Sequence, residues 1–161
     1  MNPTPVRARL GALAVILVAL SLALPAAAMQ MKLSRSELCS VSDVVVIAEV
    51  TSAETLWAPG DDGAIFRRAW LTTWRAVAGQ AADTVEVILP GGEIDGVSHH
   101  VEHVPELELD RRYLLFLQRG PDGSLGVVGG EAGAVLVAPP DGGLGEPYIS
   151  ALASVGGCRV R

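Results

Sequence analysis

The sequence predicts an all-β domain with a small helical element: an antiparallel barrel or sandwich of five to seven strands with one short N-terminal helix. Short runs rich in β-branched and apolar residues recur along the chain, and such runs are typical of strands. Turn signals separate these runs. They include the dipeptide Asp-Gly, which the tight turns of β-hairpins favour, at Asp62, Asp95, Asp122 and Asp141. Short strands alternating with turns are typical of small barrels and sandwiches.

One short helix is predicted at the start of the domain. Ser34-Arg-Ser-Glu37 has the spacing of a capping box, in which the serine oxygen and the glutamate each satisfy a free backbone amide at a helix start. The helix should end by Ser42-Asp43, where a β-branched run begins.

The strands follow this helix. The predicted strands are residues 43–56, 64–77, 84–89, 112–118, 124–128 and 134–138. The second is ambiguous, because Phe66, Trp70 and Trp74 recur every four residues and would share one stripe of a helix or one face of a strand. The Asp-Gly turn before it favours a strand that forms a hairpin with the first. Residues 139–161 are predicted to form a loop-rich C-terminal tail.

The N-terminus has the pattern of a secretory signal peptide. Two arginines precede a hydrophobic segment, residues 10–24, and Ala26 and Ala28 fit the small-residue positions of a cleavage site. The segment is shorter than the roughly 20 residues that span a bilayer core. We expect residues 1–28 to be removed on export, leaving residues 29–161 as a single barrel domain without a membrane span, in the periplasm or outside the cell. An uncleaved N-terminal anchor is the alternative.

The charge balance argues against a dedicated nucleic-acid binder. The chain has 12 Lys and Arg against 18 Asp and Glu, and without the two arginines of the signal peptide 10 basic residues face 18 acidic ones, a net charge of −8. A nucleic-acid binder needs a basic face that displaces counterions from phosphate. We therefore expect no nucleic-acid partner, and because the chain is predicted to be exported we expect its partner to be another secreted or envelope protein.

The two cysteines of the chain are Cys39 and Cys158. In an oxidising compartment such a pair is most simply a disulfide, which would tie the first helix to the C-terminal tail. Two cysteines are too few for a four-thiolate zinc site. Two free buried thiols are the alternative.

Familiar catalytic motifs are absent from the sequence. It contains no G-x-S-x-G elbow, no phosphate loop of the form G-x-x-x-x-G-K-[ST], no H-E-x-x-H and no G-x-G-x-x-G after a strand. We expect a non-enzymatic protein with no catalytic residue and no cofactor.

One cluster of possible metal ligands remains, since imidazole is a good ligand for zinc or copper. The three histidines lie close together with four acids nearby: His99, His100, His103, Glu93, Asp95, Glu102 and Glu106. On a strand the outer two histidines would be about 13 Å apart, too far to share one metal ion, whereas on a helical turn they would be neighbours. The glycine-rich approach and Pro105 disfavour a helix, so we expect a solvated acidic loop without a metal. A metal-binding protein that uses these histidines is the alternative.

A second candidate site is the aromatic set Phe66, Trp70 and Trp74, interleaved with Arg68. Open barrels bind ligands on such surfaces. Because aromatic rings bury large apolar areas, we expect these three side chains to be part of the core. A binding face is the alternative.

Several segments resemble known secreted domains. Residues 34–39, followed by residues 42–50, are similar to the opening of netrin-like domains, a cysteine-bearing segment and then an A-D-x-V-x-x-G-x-V strand. Residues 89–92 and 112–117 resemble secreted bacterial proteins with a p-G-G … G-e-r-Y-l-l-F-L pattern. The resemblance implies an OB-type, netrin-like barrel.

The resemblance implies a fold and no functional residue. Tissue inhibitors of metalloproteinases, the best-known netrin-like proteins, use a cysteine at the mature N-terminus to chelate the zinc of a protease. Here the mature chain is predicted to start at Met29, and Cys39 lies ten residues further on. We therefore expect an exported, non-enzymatic binding or accessory module, with a secreted protease inhibitor as a further alternative.

Overall fold

The computed structural model describes residues 33–58, 60, 63–138 and 146–160. The predicted signal peptide, residues 1–28, lies outside the described residues, as do Asp62 and Asp141. The elements are α1 (Arg35–Val41), β1 (Val44–Trp57), β2 (Ile65–Ala78), β3 (Thr84–Pro90), β4 (Gly92–Ile94), β5 (Val97–His99), β6 (Arg112–Arg119), β7 (Leu125–Val127), a 3₁₀ turn (Gly130–Gly133), β8 (Ala134–Ala138) and α2 (Glu146–Ser154).

Five of the strands close into a barrel. The sheet runs in the order β1-β2-β3-β7-β6, and β6 pairs back on β1 through residues 112–117, which closes it. The strand β8 lies beside the first half of β6, while β7 pairs with the second half. The predicted all-β barrel with a short N-terminal helix is thereby confirmed. One pairing departs from the antiparallel pattern, because β7 runs parallel to β3.

The strand β1 belongs to two cores at once. Its inner side chains, among them Val46 and Val50, pack inside the barrel against β2, β3 and β6. Its outer side chains Val45 and Ile47 are also fully buried, beneath α1, β8 and α2. A strand that is covered on both faces loses the usual alternation of apolar and polar residues, which explains the run Val44-Val-Val-Ile47.

The Cys39–Cys158 disulfide is present and joins α1 to the segment after α2. The two Cα atoms are 5.5 Å apart. The helix α2 corrects the prediction of a loop-rich tail over residues 139–161, because residues 146–154 are helical. Ala151 of this helix and Val155, directly after its end, are buried, but the Pro- and Gly-rich residues before the helix are typical of loops.

The Asp-Gly dipeptides that the structure describes form turns, as predicted. Asp95 and Gly96 both have positive φ angles, 54° and 76°, which fits a two-residue hairpin turn. This turn connects β4 to β5, a small hairpin that the sequence did not predict. Asp122-Gly123 connects β6 to β7, and Asp122 accepts hydrogen bonds from the backbone and side chain of Ser124.

The helix α1 begins with the predicted capping box. The Glu37 amide donates to Ser34 Oγ at 3.3 Å, and the Ser34 amide donates to Glu37 Oε2 at 2.7 Å. The pKa of Glu37 is held below its ordinary value first by interaction of its carboxylate with the Ser34 side chain and second by the hydrogen bond that the carboxylate accepts from the Ser34 backbone amide. The half of the box that the Glu37 carboxylate supplies is therefore strongest while Glu37 is ionised, whereas the bond that Ser34 Oγ accepts from the Glu37 amide does not depend on that charge.

The substitution Ser34→Ala should lower the free energy of unfolding by about 1 kcal/mol at pH 7, the usual effect of losing an N-cap side chain. Folding lowers the pKa of Glu37. The contribution of its carboxylate to the free energy of unfolding is therefore fully present above the ordinary pKa of 4.5, and it is lost as the pH falls through the folded-state pKa. Urea denaturation of wild type and variant at several pH values measures the loss, which should shrink in acid. Ser36→Ala, an exposed serine of the same helix, is the control and should cost little. A loss that is the same at pH 7 and in strong acid would contradict the role of Glu37.

Candidate functional site

The aromatic residues of β2 lie on the outside of the barrel. Ile65, Ala69 and Leu71 alternate into the interior and are buried, so the intervening side chains point outward. Phe66 and Trp70 are half-buried, and Trp74 is 52% exposed. The expectation that these rings belong to the core is therefore wrong. The aliphatic side chains of β2 fill the barrel interior instead. The even spacing of the aromatic residues places them on one face of the strand but does not determine whether that face points inward or outward.

Arg68 lies between two of these rings. The carbon of its guanidinium is 5.9 Å from the centroid of Phe66 and 5.8 Å from that of Trp70. The neighbouring strands hold the same guanidinium from both sides: Nη1 is 3.4 Å from Glu54 of β1, and Nε is 3.0 Å from Glu86 of β3. The strand register requires this arrangement, because Glu54 pairs directly with Arg68 and Glu86 pairs with Trp70.

Arg112 repeats the motif at the other end of β2. Its guanidinium carbon lies 3.4 Å from the centroid of Trp74, and its Nε donates to Glu49 Oε2 at 2.6 Å. The three residues come from β6, β2 and β1, and Glu49 pairs with Arg112 in the register that closes the barrel. The sequence did not predict Arg112 as part of this site, because β6 lies far from β2 along the chain.

Together these side chains form one surface, which we call the aromatic face. It consists of Phe66, Arg68, Trp70, Trp74, Arg112, Glu49, Glu54 and Glu86. Each arginine is fixed by a carboxylate and by an aromatic ring, a combination that holds the long side chains in place. The face carries no nucleophile with an adjacent general base. It presents partly exposed aromatic rings beside arginine–glutamate ion pairs.

The structure separates the three histidines. His99 ends β5 and His100 follows it, and both line a cleft of about 350 Å³ that also includes Arg67, Glu93 and Glu106. His103 is not part of this cleft; it sits in a turn with a φ of 62°, its ring 4.0 Å from the Glu102 carboxylate. Among the described residues, no group of three or more His, Cys, Asp or Glu side chains could hold a metal ion.

The fold and the aromatic face define the class of this domain: a closed five-stranded β barrel, stapled by one disulfide, with aromatic and arginine side chains displayed on its outer wall. A comparison with protein-family models, curated proteins and solved structures finds no match for the chain. In the part of the chain that the structure describes, neither helix is long and apolar enough to cross a membrane.

Proposed function

We propose that the chain is an exported, non-enzymatic β-barrel module that binds another secreted or envelope protein through its aromatic face. The observation that carries the proposal is the exposure of Trp74 and the partial exposure of Phe66 and Trp70 on one outer surface beside two ordered arginines. Tryptophan and arginine dominate the binding energy of protein interfaces. A surface that combines them is therefore a better candidate for protein binding than for catalysis.

The order of the face supports binding. Arg68 is held by two glutamates and two rings, and Arg112 by one glutamate and one ring. Fixing a long side chain on association normally costs about 0.5–1.5 kcal/mol. Here the arginine side chains are already ordered in the free domain, so they lose little conformational entropy when a partner binds.

Export is supported by the N-terminal pattern and by the disulfide. Disulfides persist in oxidising compartments and are rare in the cytosol, and Cys39 is bonded to Cys158. Cys39 lies within helix α1, so it does not have the N-terminal position that the zinc-chelating cysteine of netrin-like inhibitors occupies. The zinc-chelating mechanism of netrin-like inhibitors therefore finds no support, and a binding role remains the better proposal.

The proposed OB-type, netrin-like relationship is supported by the strand order. Numbered along the chain, the five barrel strands β1, β2, β3, β6 and β7 are arranged first-second-third-fifth-fourth, with the fourth closing on the first. A five-stranded Greek-key barrel of this kind is the OB-type architecture, in which the outer surface of the second and third strands is the usual binding surface. The three rings and Arg68 of the aromatic face lie on the second of these strands and Glu86 on the third, while Glu49, Glu54 and Arg112 extend the face onto the first and fourth.

Site-specific photocrosslinking in the native host tests the proposal. A photoreactive phenylalanine at position 74 should crosslink the exported protein to one discrete protein partner, and Trp70→Ala in the same chain should weaken that product. The same probe at Ile149 or Val97, which are 59% and 47% exposed away from the aromatic face, is the matched control and should give none. Equal products at all three positions would contradict the face as the binding surface, and recovery of the uncleaved chain from the cytosol would contradict export.

A further inference from the structure

The side chain of Arg67 is a cation on the inner side of β2. Its neighbours on that side, Ile65 and Ala69, are buried, and its partner across the β2–β3 pairing is the buried Leu89. One hydrogen bond holds the guanidinium, from Nη2 to the carbonyl of Pro105 at 3.3 Å. Arg67 is half-buried, and a partly desolvated cation is stabilised by an anion or by several acceptors.

Compensation for this charge is incomplete. None of the ion pairs formed by the described residues includes Arg67, and its Nε is buried with no hydrogen-bond partner. Arg68, one residue away, is held by two carboxylates on the outer surface. The Nε atoms of both arginines are buried without a hydrogen-bond partner. The difference between them is in ion pairing, because Arg68 has two carboxylates within ion-pair distance and Arg67 has none among the described residues.

Arg67 lines the 350 Å³ cleft between the barrel and the β4–β5 hairpin. The cleft wall at Gly92 depends on glycine: its φ is 142°, and a Cβ there would lie 2.8 Å from Thr55 Cγ2 and 3.1 Å from Arg67 Cγ. The backbone therefore crosses directly over the arginine stem. The cleft has the volume of a small-molecule site.

The other polar groups of the cleft define the charge of a ligand. Ser98, His99 and His100 offer a hydroxyl and two imidazole rings, whereas Glu93 and Glu106 bring two carboxylates. A polyanion would be repelled by these glutamates. A molecule that carries one carboxylate for Arg67 and one ammonium for a glutamate matches both charges.

We propose that this cleft, which we call the Arg67 cleft, binds a small zwitterion with a carboxylate and an ammonium group, either a free α-amino acid or a short peptide. The carboxylate pairs with the Arg67 guanidinium, and the ammonium pairs with Glu93 or Glu106. This site is separate from the aromatic face, so its test is independent of the proposed function.

Titration of the purified mature protein, followed by the backbone amide resonances of Gly91 and Gly92, tests this site. L-Alanine, at concentrations on the order of 10 mM, should shift both resonances saturably. Propionate, which lacks the ammonium, and alaninamide, which lacks the carboxylate, should bind more weakly. Comparing L-alanine with Ala-Ala distinguishes a free amino acid from a short peptide as the preferred ligand.

Variants separate binding from folding. Arg67→Gln should weaken the affinity for L-alanine about tenfold, the effect of losing a charge-assisted hydrogen bond, and Arg67→Lys should weaken it less. Arg35→Gln is the matched control, because Arg35 also has a buried unpartnered nitrogen but lines a different cleft. If Arg67→Gln does not fold, the Lys variant still tests the site. Equal affinity for L-alanine and propionate, no saturable shift with L-alanine, or unchanged binding in a folded Arg67 variant would each overturn the proposal.

Discussion

Removing the Cys39–Cys158 disulfide is expected to lower the free energy of unfolding by about 2–5 kcal/mol, the range found for native disulfides in small secreted domains. The bond joins residues 119 positions apart, and in the chain-entropy view a long loop closed in the unfolded state gives an effect near the upper end of that range. The variant Cys39→Ala/Cys158→Ala, compared with wild type by urea denaturation, measures the loss.

Two controls separate the covalent bond from the packing of the cysteine side chains. Adding reductant to the wild type should reproduce most of the loss, whereas the double variant should not respond to reductant at all. If the reduced wild type is as stable as the oxidised protein, the bond does not constrain the unfolded chain as described.

The second large effect is expected at Phe116 of β6. This side chain is fully buried on the outer side of the barrel, in the cluster formed with α1, β8 and α2. Phe116→Ala should cost about 3–5 kcal/mol, because it removes a large apolar group and leaves a cavity. Thermal or urea denaturation measures the change.

Phe66→Ala is the matched control, since it removes the same side chain from the half-exposed aromatic face. Its cost should be less than half that of Phe116→Ala, because water already contacts the ring and can fill the space. Equal losses at the two positions would mean that Phe66 is held as tightly as a core residue.

Most of the barrel could be predicted because its strands carry local signals. The capping box at Ser34, the β-branched run of β1 and the turns at Asp95 and Asp122 act within a few residues. The parallel pairing of β3 with β7 could not be predicted, because nothing in either strand marks its neighbour. The helix α2 was missed because the Pro- and Gly-rich residues directly before it are typical of loops.

Only part of the candidate site could be predicted from the sequence. The shared face of Phe66, Trp70 and Trp74 followed from their even spacing, but the choice of the outer side depended on what fits inside the barrel. Arg112 was missed because closure of the barrel brings it to Trp74. A signal for the Arg67 cleft did exist: Arg67 and Arg68 are adjacent on a strand, so one of them must point inward.

The pairing of β1 with β6 limits when the barrel can close during folding. Glu49 of β1 binds Arg112 of β6, which follows it by 63 residues, so the barrel cannot close before that part of the chain is available. The disulfide can form only later, because Cys158 follows Cys39 by 119 residues. A chain threaded N-terminus first through a narrow secretion channel would therefore stay open, with its apolar first strand uncovered, until nearly all of it had crossed. If the chain is exported as we propose, its folding should depend on holding chaperones and on a thiol oxidase on the far side of the membrane.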